Sequence, residues 1–334
     1  MMARIAAAFL FLLVVIGAAG GGAFVWFARA VLVPGPLQET RTLVIEPGSG
    51  LGSISLQLED AGVVADARLL ELQARRAGQA RALKPGEYSF EPDISVIAAL
   101  DKIVRRDVVS RYVTVPEGLV SADIMRILAA APGLVGTVTG AVEDGDLLPE
   151  TYRYEWGDSR AALVGRMRAA RDAALAELWE TRDSGLPVAS PQGAVILASM
   201  VEKETGVAAE RRRVAAVFIN RLRRGMRLQS DPTVIYGIAP EAGQLERPIT
   251  RTDLEAPNAY NTYIISGLPP SPICHPGRAA LAAVLSPVQS NELYFVADGS
   301  GGHAFAATLN EHNKNVARWR KIERGMKAAP GRPP

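Results

Sequence analysis

Apolar and polar positions divide the chain into unlike stretches. From Ile5 to Ala28 no residue is charged. From Thr42 to Phe90 short apolar runs alternate with turns, and beyond that longer helical stripes dominate. The first stretch, about 24 residues, predicts a helix of about 36 Å, enough to cross a bilayer with some tilt. Trp26 lies near its far end, between Arg4 and Arg29. Ala28-Arg29-Ala30 has the small-x-small form of a cleavage site, so a signal peptide is the other reading, but the apolar run is long for one. Val31–Pro36 then reads as a short, stiff linker leading away from the membrane.

Thr42–Ile45 predicts a strand, Glu46–Gly50 a turn and Ser53–Leu58 a helix burying Ile54 and Leu58; a second helix spans about 66–76 and Gly86–Phe90 returns as a strand. Gly48, Gly50 and Gly52 lack the Lys-Ser/Thr or the full fingerprint of a phosphate loop and read as turn and cap. Tyr112–Gly118 repeats the strand and turn of Leu43–Gly48, and Ile124 and Leu128 reproduce the spacing of Ile54 and Leu58. Further helices are predicted at about 159–179, 190–206 and 208–224, the last with Val214, Val217 and Phe218 inward and its arginines outward. A hairpin at 292–307 and a capped helix opening at Thr308 and Glu311, docked by Val316 and Trp319, close the pattern.

The helix from Ser190-Pro191 to Thr205-Gly206 carries the candidate chemistry. Proline is preorganised for a first helical position. Leu197, Met200, Val201 and Glu204 fall at i, i+3, i+4 and i+7, which sets Glu204 on the bulky apolar stripe at the C-terminal end. Glu202 points roughly 160° away, at about 100° per residue. A carboxyl beside apolar groups at a helix C-terminus loses hydration and faces the negative end of the dipole, so its proton is held more tightly and becomes available for donation near neutral pH. Periodicity alone leaves a second reading open, a solvated helix-end glutamate paired with Lys203 or an arginine.

Composition changes the picture only by exclusion. A net charge of +2, with bases dispersed among acids, does not suggest a nucleic-acid partner, and the single Cys274 rules out an internal disulfide framework. The histidines, His275, His303 and His312, are too scattered for a zinc motif. Two polar loops, Leu228–Gly237 and Ala259–Pro272, mix aromatic rings with Ser, Thr, Asn and Asp, a composition suited to sugar faces and hydroxyls and equally to ordinary turns.

Those segments together resemble the YceG-like family of membrane-anchored endolytic murein transglycosylases. The resemblance runs through Pro-Glu-Thr-Tyr152, Ala-Ser-Met-Val-Glu-Lys-Glu-Thr205, Val-Phe-Ile-Asn-Arg-Leu222, Met-Arg-Leu-Gln-Ser-Asp-Pro-Thr-Val-Ile-Tyr-Gly237, Tyr-Asn-Thr-Tyr263, Gly-Leu-Pro-Pro270, Leu-Tyr-Phe-Val-Ala297 and Glu-His-Asn313. It implies an α+β chain: a short cytoplasmic end (1–4), a transmembrane helix (5–28), a linker (29–41), a small LysM-like module (42–92), a larger mixed α+β catalytic domain (93–327) and a disordered tail (328–334). It implies cleavage of the β-1,4 bond between N-acetylmuramic acid and N-acetylglucosamine inside peptidoglycan strands, leaving 1,6-anhydromuramyl ends. Glu204 becomes the single catalytic acid and base, without metal or organic cofactor. Asp231, Thr233, Tyr236, Asn261, Thr262, Tyr263 and His303 become candidates for lining the glycan groove. The implied setting is the cytoplasmic (inner) membrane, catalytic part outside, beside the cell-wall synthases (penicillin-binding proteins). Ser271, Cys274 and His275 depart from the family's pattern and put the shape of their loop in question. An inactive peptidoglycan-binding scaffold and a true muramidase hydrolase are the alternatives.

Overall fold

The uncharged run near the start of the chain forms one helix, α1 (Met2–Ala30), in a computed structural model that describes residues 2–328. Its segment Arg4–Ala30 is long and apolar enough to cross a membrane. Helices and short strands are mixed along the rest. Contacts sort the chain into two units, one ending at Arg111 and including Arg153–Asp158, the other made of Tyr112–Tyr152 and the described residues from Ser159 on.

In the first unit, α1 is followed by β1 (Arg41–Ile45), α2 (Leu51–Asp60), α3 (Ala67–Arg76), β2 (Gly86–Phe90) and α4 (Val96–Arg105). β1 and β2 pair antiparallel, Arg41 opposite Phe90 and Ile45 opposite Gly86. Asp66 caps α3 by accepting from Arg68 N–H at 2.8 Å, and Ser95 caps α4. Ile54, Leu58, Leu70, Tyr88, Phe90 and Ile103 form the centre of the core. Tyr88 places its ring there because its hydroxyl donates to Lys84 O at 2.8 Å, so the polar end is satisfied.

The stretch read as a linker is part of this core. Phe27, Val31 and Leu37 are buried in it. Ile97 N–H donates to Val31 O, Gly35 N–H to Asp93 O and Asp93 N–H to Leu37 O. A Cβ on Gly35 would lie 2.3 Å from Ile94 O, so glycine is what lets the two backbones meet. The apolar residues flanking the prolines explain the difference: Val31 and Leu37 gain more from burial than the segment gains from freedom.

The chain passes between the units within β3 (Arg111–Thr114) and β4 (Thr151–Tyr154). The second unit holds α5 (Ser121–Ala130), α6 (Arg160–Glu180), α7 (Pro191–Glu204), α8 (Arg211–Arg223), α9 (Asp231–Ile238), α10 (Arg251–Glu255), α11 (Arg278–Leu285), β5 (Tyr294–Ala297), β6 (His303–Ala306) and α12 (Leu309–Ala328). In α5, Ile124 and Leu128 are buried, matching Ile54 and Leu58 of α2. The core gathers around α7, against which α8 and α11 pack. β5 and β6 form the expected hairpin, with Tyr294 opposite Ala306.

Some elements differ from expectation. Residues 231–238, read as part of a polar loop, are the helix α9, which Pro232 and the capping position of Ser230 start. The arginines of α8 are not all outward: Arg221 is 8% exposed. Of the tail expected to be disordered, Ala328 ends α12 and the remainder lies outside the described residues.

Candidate active site

α7 is apolar on every side, which makes it a core helix that must end where the core ends. Ser190 accepts from Gly193 N–H at 3.1 Å and Pro191 opens the first turn. Gly193 through Val201 are all buried, so both the Leu197 side and the Ala198 side are covered. At Thr205 the backbone turns extended, and Glu204 is delivered half-buried to the wall of a cavity of about 330 Å³. The cavity is also lined by Arg221, Asp231, Tyr263, Phe295 and His312.

Among the described residues, one hydrogen-bond donor holds the Glu204 carboxyl. Ser230 Oγ donates to Glu204 Oε1 at 2.5 Å. Ser230 is itself held by a closed circuit of buried hydroxyls. Its N–H donates to Thr262 Oγ1 (2.9 Å), its carbonyl accepts from Thr233 Oγ1 (2.7 Å), and the two threonine hydroxyls lie 2.8 Å apart. Since the Thr233 proton goes to Ser230 O, the Thr262 hydroxyl donates to Thr233 Oγ1. Gln229, just before, has φ 52°, a left-handed turn rare for a side-chain-bearing residue; its N–H donates to Thr262 O at 3.1 Å.

Loss of hydration raises the Glu204 pKa to about 7; Ser230's hydrogen bond opposes this, the Asp231 charge reinforces it, and His303 and Arg221 oppose it more weakly. The acid is therefore protonated in a large share of molecules near neutral pH, the condition for a general acid.

The expected groove residues separate into two sets. Asp231 and Tyr263 line the cavity with Glu204, and Tyr263 Oη donates to Asp231 Oδ1 at 2.6 Å. Burial and the Asp231 carboxylate push the Tyr263 phenol far up, so it stays a donor. His303 Nδ1 lies 2.8 Å from Glu210 Oε2, and its backbone N–H donates to Glu210 Oε1. Thr233, Asn261 and Thr262 are fully buried. The threonines brace Ser230, and the Asn261 amide donates to Leu254 O and Ala256 O. They face protein and not the groove. Tyr236 donates to Asp144 at 2.7 Å and lines a separate cavity.

Ser230, Arg221 and His312 are cavity or carboxyl neighbours that the sequence reading did not single out, although each lies in a motif quoted for the resemblance. Arg221 donates from Nε to Leu293 O (2.6 Å) and from Nη1 to Leu228 O (2.7 Å), which exhausts little of its charge. His312 stacks on Tyr294 with ring centroids 5.0 Å apart, and its buried Nδ1 has no hydrogen-bond partner among the described residues. Among those residues no three His, Cys, Asp or Glu side chains converge to hold a metal ion.

Glu202 does something else. Its Oε2 accepts from Gly277 N–H at 2.9 Å, at the N-terminus of α11, and Arg211 lies 3.5 Å from its Oε1. Burial raises its pKa. It joins α7 to α11 inside the protein.

The loop with the unusual residues is equally well tied. Cys274 donates to Ser199 O, Ile273 N–H donates to Ser199 Oγ, and Ser271 lies 2.7 Å from Tyr260 Oη. His275 is fully buried; Leu147 N–H donates to its Nδ1 at 3.1 Å, so the ring proton sits on Nε2 and points at Ser121 Oγ, 2.9 Å away. Burial lowers its pKa and keeps it neutral.

The YceG-like family model matches residues 43–318. The endolytic murein transglycosylase of Bacillus subtilis (strain 168) is 34% identical over 171 residues, 51% of this chain and 46% of that protein. That of Streptococcus pneumoniae serotype 2 is 26% identical over 323 residues, 83% of this chain and 58% of that protein. The chain thus spans about half the length of these curated relatives. A crystal structure of a yceG-like protein from Listeria monocytogenes superposes with a TM-score of 0.50 at 28% identity, covering 83% of this chain and 99% of that one.

Proposed function

Because the chain belongs to the YceG-like family, we propose that it is an endolytic murein transglycosylase, a lyase that cuts the muramic acid–glucosamine β-1,4 bond inside peptidoglycan strands with Glu204 as its single acid and base. The observation that carries this reading is Glu204 itself: a carboxyl with its pKa raised to about 7, held by one donor, on the wall of an open cavity.

The chemistry balances without water. Protonated Glu204 gives its proton to the glycosidic oxygen as the C1–O4 bond breaks, and the glucosamine leaves with a free 4-hydroxyl. The resulting carboxylate takes the proton from the muramic acid C6 hydroxyl as O6 bonds to C1. The product is a 1,6-anhydromuramyl end, and Glu204 is protonated again. The nucleophile belongs to the same sugar, so its effective concentration is high. Ser230 holds Oε1, which leaves Oε2 to carry the mobile proton. His312 and Arg221 supply donors for the glycan's oxygens around the cavity, and Tyr263, whose proton goes to Asp231, offers its oxygen as an acceptor.

Asp231 gives the hydrolase reading a footing, since two carboxyls on one cavity are what a hydrolase uses. One Asp231 oxygen is taken by Tyr263, which favours a supporting role. Mass spectrometry of digested glycan strands separates the readings: the lyase leaves anhydro ends, and the hydrolase leaves reducing ends heavier by one water. Loss of all cleavage in Asp231→Asn together with reducing ends in the wild type would establish the hydrolase.

The order strand–helix–helix–strand of β1, α2, α3 and β2 supports a LysM-like, peptidoglycan-binding role for the first unit. The apolar α1 supports a single-pass anchor, and the proposed substrate then puts the N-terminus in the cytoplasm and the rest on the side of the cytoplasmic membrane where peptidoglycan lies. Trimming of nascent strands beside the cell-wall synthases is the setting the family resemblance implies.

A further inference from the structure

The end of α1 is shared between a membrane and a protein core, and one arginine marks where they meet. Phe27 and Val31 are buried in the first unit, 7% and 2% exposed, while Phe24 and Trp26 are more than half exposed. The Arg76 guanidinium, from the end of α3, lies 4.6 Å from the Phe24 ring centroid and 5.9 Å from that of Phe27. Its neighbour Arg75 pairs with Glu71 at 3.4 Å, whereas Arg76 has no carboxylate partner among the described residues. Leu72, one turn earlier on the same face of α3, is 52% exposed.

A permanently charged guanidinium does not sit unpaired in hydrocarbon. The hydrocarbon layer therefore stops short of Phe24. What remains is Ile5 to Ala23, roughly 19 residues or about 28 Å of helix, which fits a hydrocarbon thickness of about 30 Å. Phe24, Trp26 and Phe27 then lie at headgroup level, where aromatic rings collect. From these placements we infer that the first unit is seated directly on the bilayer, with Arg76 in the headgroup layer against lipid phosphates. The inference rests on α1 spanning the membrane. No slack chain separates the span from the unit, because Val31 and Leu37 are buried in its core and Val31, Gly35 and Leu37 are hydrogen-bonded to Ile97 and Asp93. A planar guanidinium binds phosphate bidentately, and Arg76, with no carboxylate partner among the described residues, is available to it.

The test uses the full-length protein in nanodiscs of phosphatidylcholine and phosphatidylglycerol, with a spin label on Ala77→Cys and, in a separate sample, on Val15→Cys. Cys274 is fully buried and stays unlabelled. Depth is read from collision with oxygen and with a water-soluble nickel chelate, calibrated on labelled lipids. The Ala77 label is expected in the headgroup layer and the Val15 label in the hydrocarbon. Adding Arg76→Glu, with folding checked by thermal melt, should shift the Ala77 label outward within the headgroup layer, since the fused α1 still holds the unit at the surface, and Arg76→Lys should leave it where it is in the wild type. An Ala77 label at bulk-water depth with Val15 in hydrocarbon overturns the seating while the span stands. A Val15 label in water overturns the span on which the inference rests. An Arg76→Glu variant that leaves depth unchanged removes Arg76 from the contact.

Discussion

At the scale of single residues, the Glu204 carboxyl is strained by its surroundings, and that has consequences for stability as well as catalysis. Its ordinary pKa is about 4.3, against about 7 in the folded protein. Between those values the native state binds more protons than the unfolded one, so this group costs stability progressively as pH rises from about 4 to about 7. The full shift corresponds to roughly 4 kcal/mol at most, less because the carboxyl opens onto the cavity. Glu204→Gln should therefore melt higher than wild type at pH 8, with the gain fading toward pH 4; thermal melts across that range check it, and a lower melting point at pH 8 contradicts it. Turnover should fall as pH rises through about 7, since the first step needs the protonated acid. Ser230 stabilises the ionised form, so Ser230→Ala should carry that falling limb to higher pH and cut kcat by about 10-fold or more, with Ser230→Thr restoring both. A pH–rate profile that keeps its limb in place would reduce Ser230 to a packing residue. Glu202→Gln should keep most of the activity, since Glu202 ties α7 to α11 and is spent inside the protein.

At the scale of elements, what could be read from the sequence was whatever burial and capping decide locally. Ser190-Pro191 marked the start of α7, and the spacing of Leu197, Met200 and Val201 marked its buried stripe. Asp66 and Gly86 bounded α3 and β2. The helix α9 was hidden because its residues, Asp-Pro-Thr-Val-Ile-Tyr-Gly-Ile, have the letters of a turn, and its stability comes from the buried Thr233–Thr262 contact, which is remote in sequence. The same remoteness hid the roles of Thr233 and Thr262, and Asn261, whose partners Leu254 O and Ala256 O are near in sequence, was hidden because a polar loop does not show which backbone carbonyls it folds back on. Arg221 looked like a surface base because periodicity cannot see that Leu228 O and Leu293 O would satisfy it. His275 shows the tie between loop and core most clearly. Replacing it by Ala leaves Leu147 N–H and Ser121 Oγ without their partner, a loss of about 2–4 kcal/mol; denaturant unfolding of His275→Ala measures it, and a change under 1 kcal/mol would contradict the assignment. Its pKa is lowered, so it contributes stability at neutral pH that is lost as pH falls below the ordinary histidine value near 6.5.

At the scale of the whole molecule, a membrane-length helix, a small strand–helix–helix–strand unit and a larger unit around α7 make up one chain. The helix of membrane length was legible because length and missing charge suffice to mark it. Its continuity with the first unit was not, because Val31 and Leu37 read as linker until Phe27 and Gly35 are seen in contact with that unit's core. The account stands or falls with the proton on Glu204 and with the absence of water from the reaction. Its most direct test is mass spectrometry of glycan strands digested by the full-length protein and by Glu204→Gln. The expected result is 1,6-anhydromuramyl ends from the wild type and none from the variant. Reducing muramic acid ends from the wild type, or anhydro ends from the variant at near wild-type rate, would contradict it.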